Sequence, residues 1–275
     1  MRAQWTLAAL AAAGLVAVTA RAEVPPTAVD LALVLAIDVS GSIDEDEAKL
    51  QRQGYVSAFS DPAIGALIGT GPHGKIAVAY LEWSSYGDHR LLVDWTVIDG
   101  PSSAKAFADA LAEEPIRIGL RTSISGAIEY SLSLFDRAPL SPTRRIIDIS
   151  GDGPNNDGRY VLEARQAAIE HNIGINGLPI INNRPNRYGF PNLPDLDLYY
   201  EHCVIAGTNA FIVVAQDFHD FAAAVKRKLV LEIADEAPPA QRRRYAASGP
   251  RSGYPPGCDV GERQSREFWQ RRGFN

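Results

Sequence analysis

The sequence predicts an α/β fold, with a doubly wound and mostly parallel sheet that carries helices on both faces. A near-continuous apolar run over 29–37 is typical of a strand buried on both faces of a parallel sheet. Similar runs alternate along the chain with segments of helical periodicity, which indicates strand–helix–strand crossovers. The segment 82–89 lies between two strand-like runs and is too short for a crossover helix, so one strand is predicted to be antiparallel.

Each predicted element rests on the spacing of its apolar residues. After the first strand, Leu50, Val56 and Phe59 stand among charged residues and predict a helix over 44–59. Further strands are predicted over 75–81, 90–97, 144–150, 172–180 and 210–215. Further helices are predicted over 102–112, 123–135, 158–171, 195–206 and 217–234, with a Pro- and Asn-rich loop over 181–194.

Composition divides the chain into three segments. Residues 1–22 combine Arg2, an apolar run and a small-x-small cleavage site, the layout of a secretory signal peptide; an uncleaved N-terminal anchor is the alternative. The α/β domain is predicted over 23–234, and an Arg/Pro/Gly-rich tail follows over 235–275. We therefore expect an exported protein, periplasmic or extracellular, with no transmembrane span in the mature chain.

Charge is distributed unevenly between the domain and the tail. The chain has a formal net charge of −6, and loss of Arg2 and Arg21 with the signal peptide would make it −8. This balance argues against nucleic acid as the main partner. Residues 241–275 are basic, with eight Arg against three acids. Their composition favours a solvated, mostly disordered extension. The alternative is a tail that folds onto the acidic domain or contacts an anionic envelope surface.

Cys203 and Cys258 are the two cysteines of the chain. In an oxidising compartment a pair of cysteines suggests one disulfide, which here would tie the tail to the domain. Two free thiols, or pairing with another chain, are the alternatives.

Three polar segments are predicted to meet at one edge of the sheet. Asp38, Ser40 and Ser42 leave the first strand, Thr122 begins a helix, and Asp152 follows the fourth strand. The carboxyl ends of parallel strands lie at the same edge, where open α/β sheets bind their ligands. Each segment also has a local interpretation: Ser42 with Glu45 as a capping box, Thr122 as an N-cap, and Asp152 as a turn residue.

Two carboxylates and three hydroxyls are hard oxygen ligands of the kind that Mg²⁺ prefers. Because the hydroxyls are neutral, a bound ion would keep positive charge and could attract an incoming carboxylate. The chemistry of the five side chains therefore predicts a divalent-metal site.

The segment from Asp38 to Ser42, followed by Thr122 and by Asp152-Gly153, resembles the metal-ion-dependent adhesion site of von Willebrand factor A domains. The resemblance covers roughly residues 28–234. It implies an antiparallel strand at one edge of the sheet and Mg²⁺, or Mn²⁺ or Ca²⁺, held by Asp38, Ser40, Ser42, Thr122 and Asp152. It also implies a protein partner that presents Asp or Glu to the metal. The chain also resembles a family of exported bacterial proteins of unknown function built on this domain.

Residues around the predicted site suggest a partner-binding rim. Rim aromatic residues suit protein interfaces. The predicted rim consists of Trp83, Tyr86, Asn156, Asp157, Tyr188 and Phe190. Asp148 departs from the apolar pattern of the fourth strand, and we interpret it as structural or as a group near the metal, because a buried charge must be paired.

An enzyme is the main alternative to a binding module. Asp38 ends a first strand and could act as a nucleophile beside Mg²⁺ in a metal-assisted hydrolase or phosphoryl-transfer enzyme. The usual second acid two residues later is replaced here by Ser40. We therefore expect an adhesion-type module without catalytic residues. A degenerate site in a purely structural protein is the third interpretation.

Overall fold

The structure is a computed structural model that describes residues 25–181, 192–236, 254 and 256–273. The predicted signal peptide lies outside these residues, as do Tyr188 and Phe190 of the predicted rim. The strands are β1 Thr27–Asp38, β2 Ile76–Trp83, β3 His89–Ile98, β4 Leu140–Gly151 and β5 Gly174–Pro179. The helices are α1 Glu45–Ser60, α2 Pro62–Ile68, α3 Pro101–Glu113, α4 Ile124–Asp136, α5 Val161–Glu170, α6 Leu196–Tyr199, α7 Phe221–Ile233 and α8 Val260–Arg271.

The five strands form one sheet in the order β3-β2-β1-β4-β5. All neighbours are parallel except β2 and β3, so the antiparallel strand lies at the edge. The predicted α/β fold class is therefore confirmed. Since β1, β2 and β4 run in the same direction, their carboxyl ends meet at one edge of the sheet, which we call the upper edge.

The central strand β1 is buried on both faces, which explains its near-continuous apolar run. One face packs against α1, α2, α3 and α7, and the other against α4, α5 and α6. Leu31, Leu33 and Leu35 point to the first face. Ala32, Val34 and Ala36 point to the second face. Within the described ranges, no helix is long and apolar enough to cross a membrane.

Four local features differ from the predicted elements. Helix α2 was not predicted; it begins after Asp61, whose side chain accepts a hydrogen bond from the Ala63 amide. The predicted strand 210–215 makes only isolated parallel bridges to the 177–180 segment. Helix α5 begins at Val161, since Gly158 has a left-handed backbone. The predicted helix 195–206 is one α-turn, α6, followed by a π-helical turn, Tyr200–Val204.

The expectation of a mostly disordered tail is wrong for its described part. Residues 260–271 form α8, and Tyr254 is buried, with its hydroxyl 2.6 Å from Asp195 Oδ1. The suggested pairing of Cys203 with Cys258 is present as a disulfide, with a Cα–Cα distance of 5.5 Å. The expectation of disorder rested on composition, which does not include the effect of the disulfide. The disulfide holds this polar segment against the domain.

Asp148, the unexpected acid of β4, is buried with Lys228 of α7. Its Oδ1 lies 2.7 Å from the Lys228 ammonium, which also pairs with Glu232. Glu232 accepts a further hydrogen bond of 2.9 Å from the Asn176 amide. The structure thus places Asp148 in an internal ion-pair cluster of the core.

Candidate metal centre

The first wall of the candidate site is the turn that leaves β1. The Ser40 amide donates a 2.7 Å hydrogen bond to Asp38 Oδ1, which fixes the orientation of that carboxylate. The 119–120 segment is held beside the turn by two backbone hydrogen bonds, from Gly41 to Leu120 and from Gly119 to Val39. The side chains of Asp38 and Ser40 are fully buried, and that of Ser42 is half-buried.

The five predicted ligands lie together at the upper edge of the sheet. Ser40 Oγ is 3.2 Å from Ser42 Oγ and also accepts a 3.2 Å hydrogen bond from Thr122 Oγ1. The Ser42 hydroxyl donates a 2.5 Å hydrogen bond to Asp152 Oδ1. Side chains from three distant parts of the sequence therefore form one connected group of oxygen atoms.

The local interpretations of Ser42 and Thr122 do not describe the structure. The capping box of α1 is formed by Asp44 and Glu47. The N-cap of α4 is Ser123, whose hydroxyl accepts a hydrogen bond from the Gly126 amide. The hydroxyls of Ser42 and Thr122 are therefore left for the site.

The Asp38 carboxylate is the least compensated group of the site. Among the described residues, its Oδ2 is buried and has no hydrogen-bond partner. Burial raises the pKa of Asp38 well above its usual range, and the nearby charge of Asp152 raises it further. The Tyr200 hydroxyl is in the same situation: it is buried, has no hydrogen-bond partner in the described part of the chain, and faces Gly151 together with Asp38 Oδ2.

This donor set fits a small divalent cation. The unpaired Oδ2 of Asp38 is a buried acceptor whose charge a bound cation would compensate, and the adjacent groups are hydroxyls and a second carboxylate. Mg²⁺ and similar ions bind through one or two carboxylates and retain water ligands. In the described ranges, no three His, Cys, Asp or Glu side chains converge to hold a metal. Hydroxyl and water oxygens would therefore complete any coordination sphere here.

Thr122 is positioned by the loop that follows Asp152. Its amide donates a 3.0 Å hydrogen bond to Asn156 Oδ1, and its carbonyl accepts one of 2.8 Å from the Asn156 amide. Asn156 was predicted as a rim residue and is half-buried. Its side chain fixes the backbone of a predicted ligand.

Trp83 was predicted as a partner contact, and that prediction is wrong. It is the last residue of β2, pairs in register with Asp38, and is 1% exposed. Its indole packs in the core beneath α4, so a partner cannot reach it. The sequence places Trp83 at the correct edge of the sheet, but the direction of its side chain depends on the tertiary packing.

Tyr86 and Asp157 lie at the surface, next to the loop that carries Thr122. Tyr86 is 53% exposed, and its amide donates a 2.9 Å hydrogen bond to Asp157 Oδ2. The other carboxylate oxygen of Asp157 lies 3.4 Å from the Arg121 guanidinium. Tyr188 and Phe190 lie outside the described residues.

Sequence reasoning missed the contribution of α8 to this rim. A cleft of about 660 Å³ separates α8 from the rim; Arg121, Asn156 and Asp157 line one side, and Ser265, Arg266 and Trp269 line the other. The Arg121 guanidinium lies 5.6 Å from the centroid of the Trp269 ring. Val260 and Trp269 are nine positions apart and fall on opposite sides of a helix, so no apolar periodicity marked α8 in the sequence, and the basic composition of the tail obscured it further.

Solved structures with the same fold include a thread matrix protein and a pilus adhesin. Proximal thread matrix protein 1 from the mussel byssus aligns with a TM-score of 0.53 and 13% identity, over 76% of this chain and 48% of that one. A second structure of that protein has a zinc-occupied MIDAS motif, the metal-ion-dependent adhesion site. The pilus adhesin SpaC from Lactobacillus rhamnosus GG aligns with a TM-score of 0.54 and 13% identity, over 75% of this chain and 31% of that one.

A von Willebrand factor type A protein from Catenulispora acidiphila aligns with a TM-score of 0.50 and 15% identity, over 74% of this chain and 43% of that one. This chain therefore spans less than half the length of each of these structures. Identities this low establish the von Willebrand A-type fold alone.

No curated protein sequence matches the chain. The profile of the family described as "Protein of unknown function (DUF1194)" matches residues 28–237, and the chain belongs to that family.

Proposed function

We propose that this chain is an exported, divalent-metal-dependent protein-binding module of the adhesion type. The metal would be held by Asp38, Ser40, Ser42, Thr122 and Asp152 and would accept an Asp or Glu carboxylate from a partner protein. The observation that carries the proposal is the buried Asp38 Oδ2, which has no hydrogen-bond partner within the described residues and lies beside converging hydroxyls. Mg²⁺ and Mn²⁺ suit these oxygen ligands best, with Ca²⁺ as the alternative.

The residues of the site would divide the work of binding. A bound divalent cation would supply positive charge and an open coordination position for the partner's carboxylate. The Ser40 amide holds Asp38 Oδ1, so that Oδ2 is the oxygen left to face a cation. The hydrogen bond from Ser42 to Asp152 connects the β1 turn to the β4 turn across the site. The neutral hydroxyls add ligands without cancelling the charge that would attract the partner.

The burial of Asp38 supports binding over catalysis. Its side chain is 0% exposed and one of its oxygens is held by a backbone amide. A nucleophilic carboxylate must reach the atom it attacks, and Asp38 is enclosed. The residue two positions later, Ser40, cannot act as a general acid or base in the manner of a second carboxylate. These features weigh against a hydrolase or phosphoryl-transfer enzyme.

The partner surface would surround the metal on the upper edge. We propose that Tyr86 and Asp157 contact the partner and that the cleft with Arg266 and Trp269 extends this surface. Aromatic and Arg side chains are common anchors of protein interfaces. The acidic charge of the chain disfavours nucleic acid as the ligand. The signal-like N-terminus and the disulfide between Cys203 and Cys258 support export to a periplasmic or extracellular space.

Affinity capture tests the proposal. Residues 23–275 would be immobilised and exposed to a cell-envelope extract of the source organism, either with Mn²⁺ or with EDTA. We expect one partner to be retained with Mn²⁺, released by EDTA and absent with Asp38→Asn. Asp46→Asn, an exposed acid on α1, is the matched control and should retain the partner. Capture that is indifferent to EDTA and to Asp38→Asn would contradict the proposal, and metal-dependent hydrolysis of a phosphate monoester would favour the enzyme.

A further inference from the structure

Helix α8 makes direct backbone contact with the loop that follows the candidate metal ligand Asp152. A Cβ atom at Gly261 would overlap the carbonyl of Asn155, so the helix and the loop approach as closely as a glycine allows. Next to this contact, the Asn155 amide group donates a 2.8 Å hydrogen bond to Glu262 Oε1. Asn155 and Glu262 are both buried, so this hydrogen bond is shielded from water.

The loop that α8 contacts also fixes the position of Thr122. The Asn155 side chain accepts a 2.9 Å hydrogen bond from the Ser125 amide in the first turn of α4. The next residue, Asn156, exchanges hydrogen bonds with both the amide and the carbonyl of Thr122. Two sets of hydrogen bonds, joined by the peptide bond between Asn155 and Asn156, therefore connect Glu262 to a predicted metal ligand.

Helix α8 has little apolar surface to hold it in place. Its buried residues are Val260, Gly261, Glu262 and Ser265, of which only Val260 is a sizeable apolar side chain. A polar helix of this kind does not stay docked through hydrophobic burial alone. The disulfide from Cys258 to Cys203 supplies a covalent anchor two residues before the helix begins.

We infer that α8 is an intramolecular brace of the candidate metal centre, with Glu262 and Asn155 as positioning residues that set the backbone of Thr122. The function of the brace rests on the proposed metal site, but the mechanical coupling from α8 to Thr122 does not. Glu262 holds Asn155, and Asn155 and Asn156 hold the start of α4 and Thr122. Release of Glu262 would therefore loosen the ligand-bearing loop at Thr122, which α8 also approaches through the contact of Trp269 with Arg121.

Hydrogen exchange of residues 23–275, measured without metal, tests the coupling. In Glu262→Ala, we expect the amides of Thr122 and Ser125 to exchange at least about tenfold faster than in the wild type. Glu262→Gln keeps the acceptor oxygen and should behave as the wild type. Glu267→Ala is the matched control, because Glu267 lies on the same helix and makes an exposed ion pair with Arg271. The Ile149 amide in β4 reports global opening and should not change.

Equal protection of Thr122 and Ser125 in Glu262→Ala and in the wild type would overturn the inference. Acceleration that includes Ile149 would also overturn it, since it would indicate general destabilisation. A second measurement is the Mn²⁺ affinity by calorimetry, which should fall about five- to tenfold in Glu262→Ala and in the Cys203→Ser, Cys258→Ser double variant. If wild-type protein binds no Mn²⁺, the proposed function fails, and the exchange result still decides the brace.

Discussion

Two buried aspartates on neighbouring strands have their charges compensated in different ways. Asp148, inside β4, lies 2.7 Å from the buried ammonium of Lys228. Asp38, at the end of β1, has a second carboxylate nearby and, among the described residues, no cation. Burial raises the pKa of both: that of Asp148 to about 7, opposed by Lys228, and that of Asp38 well above its usual range, with Asp152 adding to the effect.

The Asp148 cluster has a compensating cation, whereas the Asp38 site has none among the described residues. The Asp148 cluster contains its own cation and needs no ligand, so its role is to join β4 to α7 within the core. The Asp38 site gathers carboxylates and hydroxyls without a cation from the described chain, and this arrangement costs free energy unless a proton or a metal cation binds. Burial of an acid alone does not indicate a functional site; the lack of a compensating cation is the feature that supports our proposal for Asp38.

The largest loss of stability is expected when the cation of the Asp148 cluster is removed. Lys228→Met should lower the free energy of unfolding by about 3–5 kcal/mol, because Asp148 and Glu232 would remain buried without their partner. Urea denaturation measures this loss. Lys226→Met is the control, since Lys226 pairs with Asp61 at the surface and should cost less than about 1 kcal/mol. Equal losses in the two variants would contradict the distinction.

Loss of the disulfide comes next. The Cys203→Ser, Cys258→Ser double variant should be less stable by about 2–4 kcal/mol, because the cross-link closes a long loop of the unfolded chain. The loss should be accompanied by exposure of Trp269 on α8, measured by fluorescence quenching. An unchanged denaturation midpoint would indicate that α8 is not anchored in this way.

The pH dependence of stability distinguishes Asp148 from an ordinary surface acid. Its pKa rises on folding from 3.8 to about 7. The folded protein therefore binds more protons than the unfolded chain within that window, and stability falls as pH rises through it. The slope from this group is at most about 1.4 kcal/mol per pH unit. In Asp148→Asn, the difference between the free energies of unfolding at pH 5 and pH 6, measured by urea denaturation, should be smaller than in the wild type. An unchanged difference would contradict the raised pKa of Asp148.

The smallest effect on stability is expected at the Asp38 site, which has no compensating cation among the described residues. Asp38→Asn should leave the protein unchanged or more stable by about 1 kcal/mol in EDTA, because it removes a buried charge that has no compensating cation. Added Mn²⁺ should raise the denaturation midpoint of the wild type and not that of the variant. A large loss of stability in EDTA would mean that Asp38 has a structural role like that of Asp148.

Local chemistry in the sequence predicted which side chains meet at the candidate site, and tertiary contacts decided the rest. The spacing of Asp38, Ser40 and Ser42 at the end of an apolar strand was informative because parallel strands expose their carboxyl ends together. Trp83 was misplaced because strand position does not tell which way the last side chain points. Helix α8 was missed because its docking depends on a disulfide and on one close approach at Gly261, neither of which has a periodic signature.

Isothermal titration of Mn²⁺ into metal-stripped protein tests the central claim most directly, with the same substitution compared at the two aspartates. We expect about one equivalent of Mn²⁺ to bind to the wild type and to Asp148→Asn, and none to Asp38→Asn. Absence of binding to the wild type, or binding that survives in Asp38→Asn, would contradict the claim that the upper edge of this sheet is a metal centre.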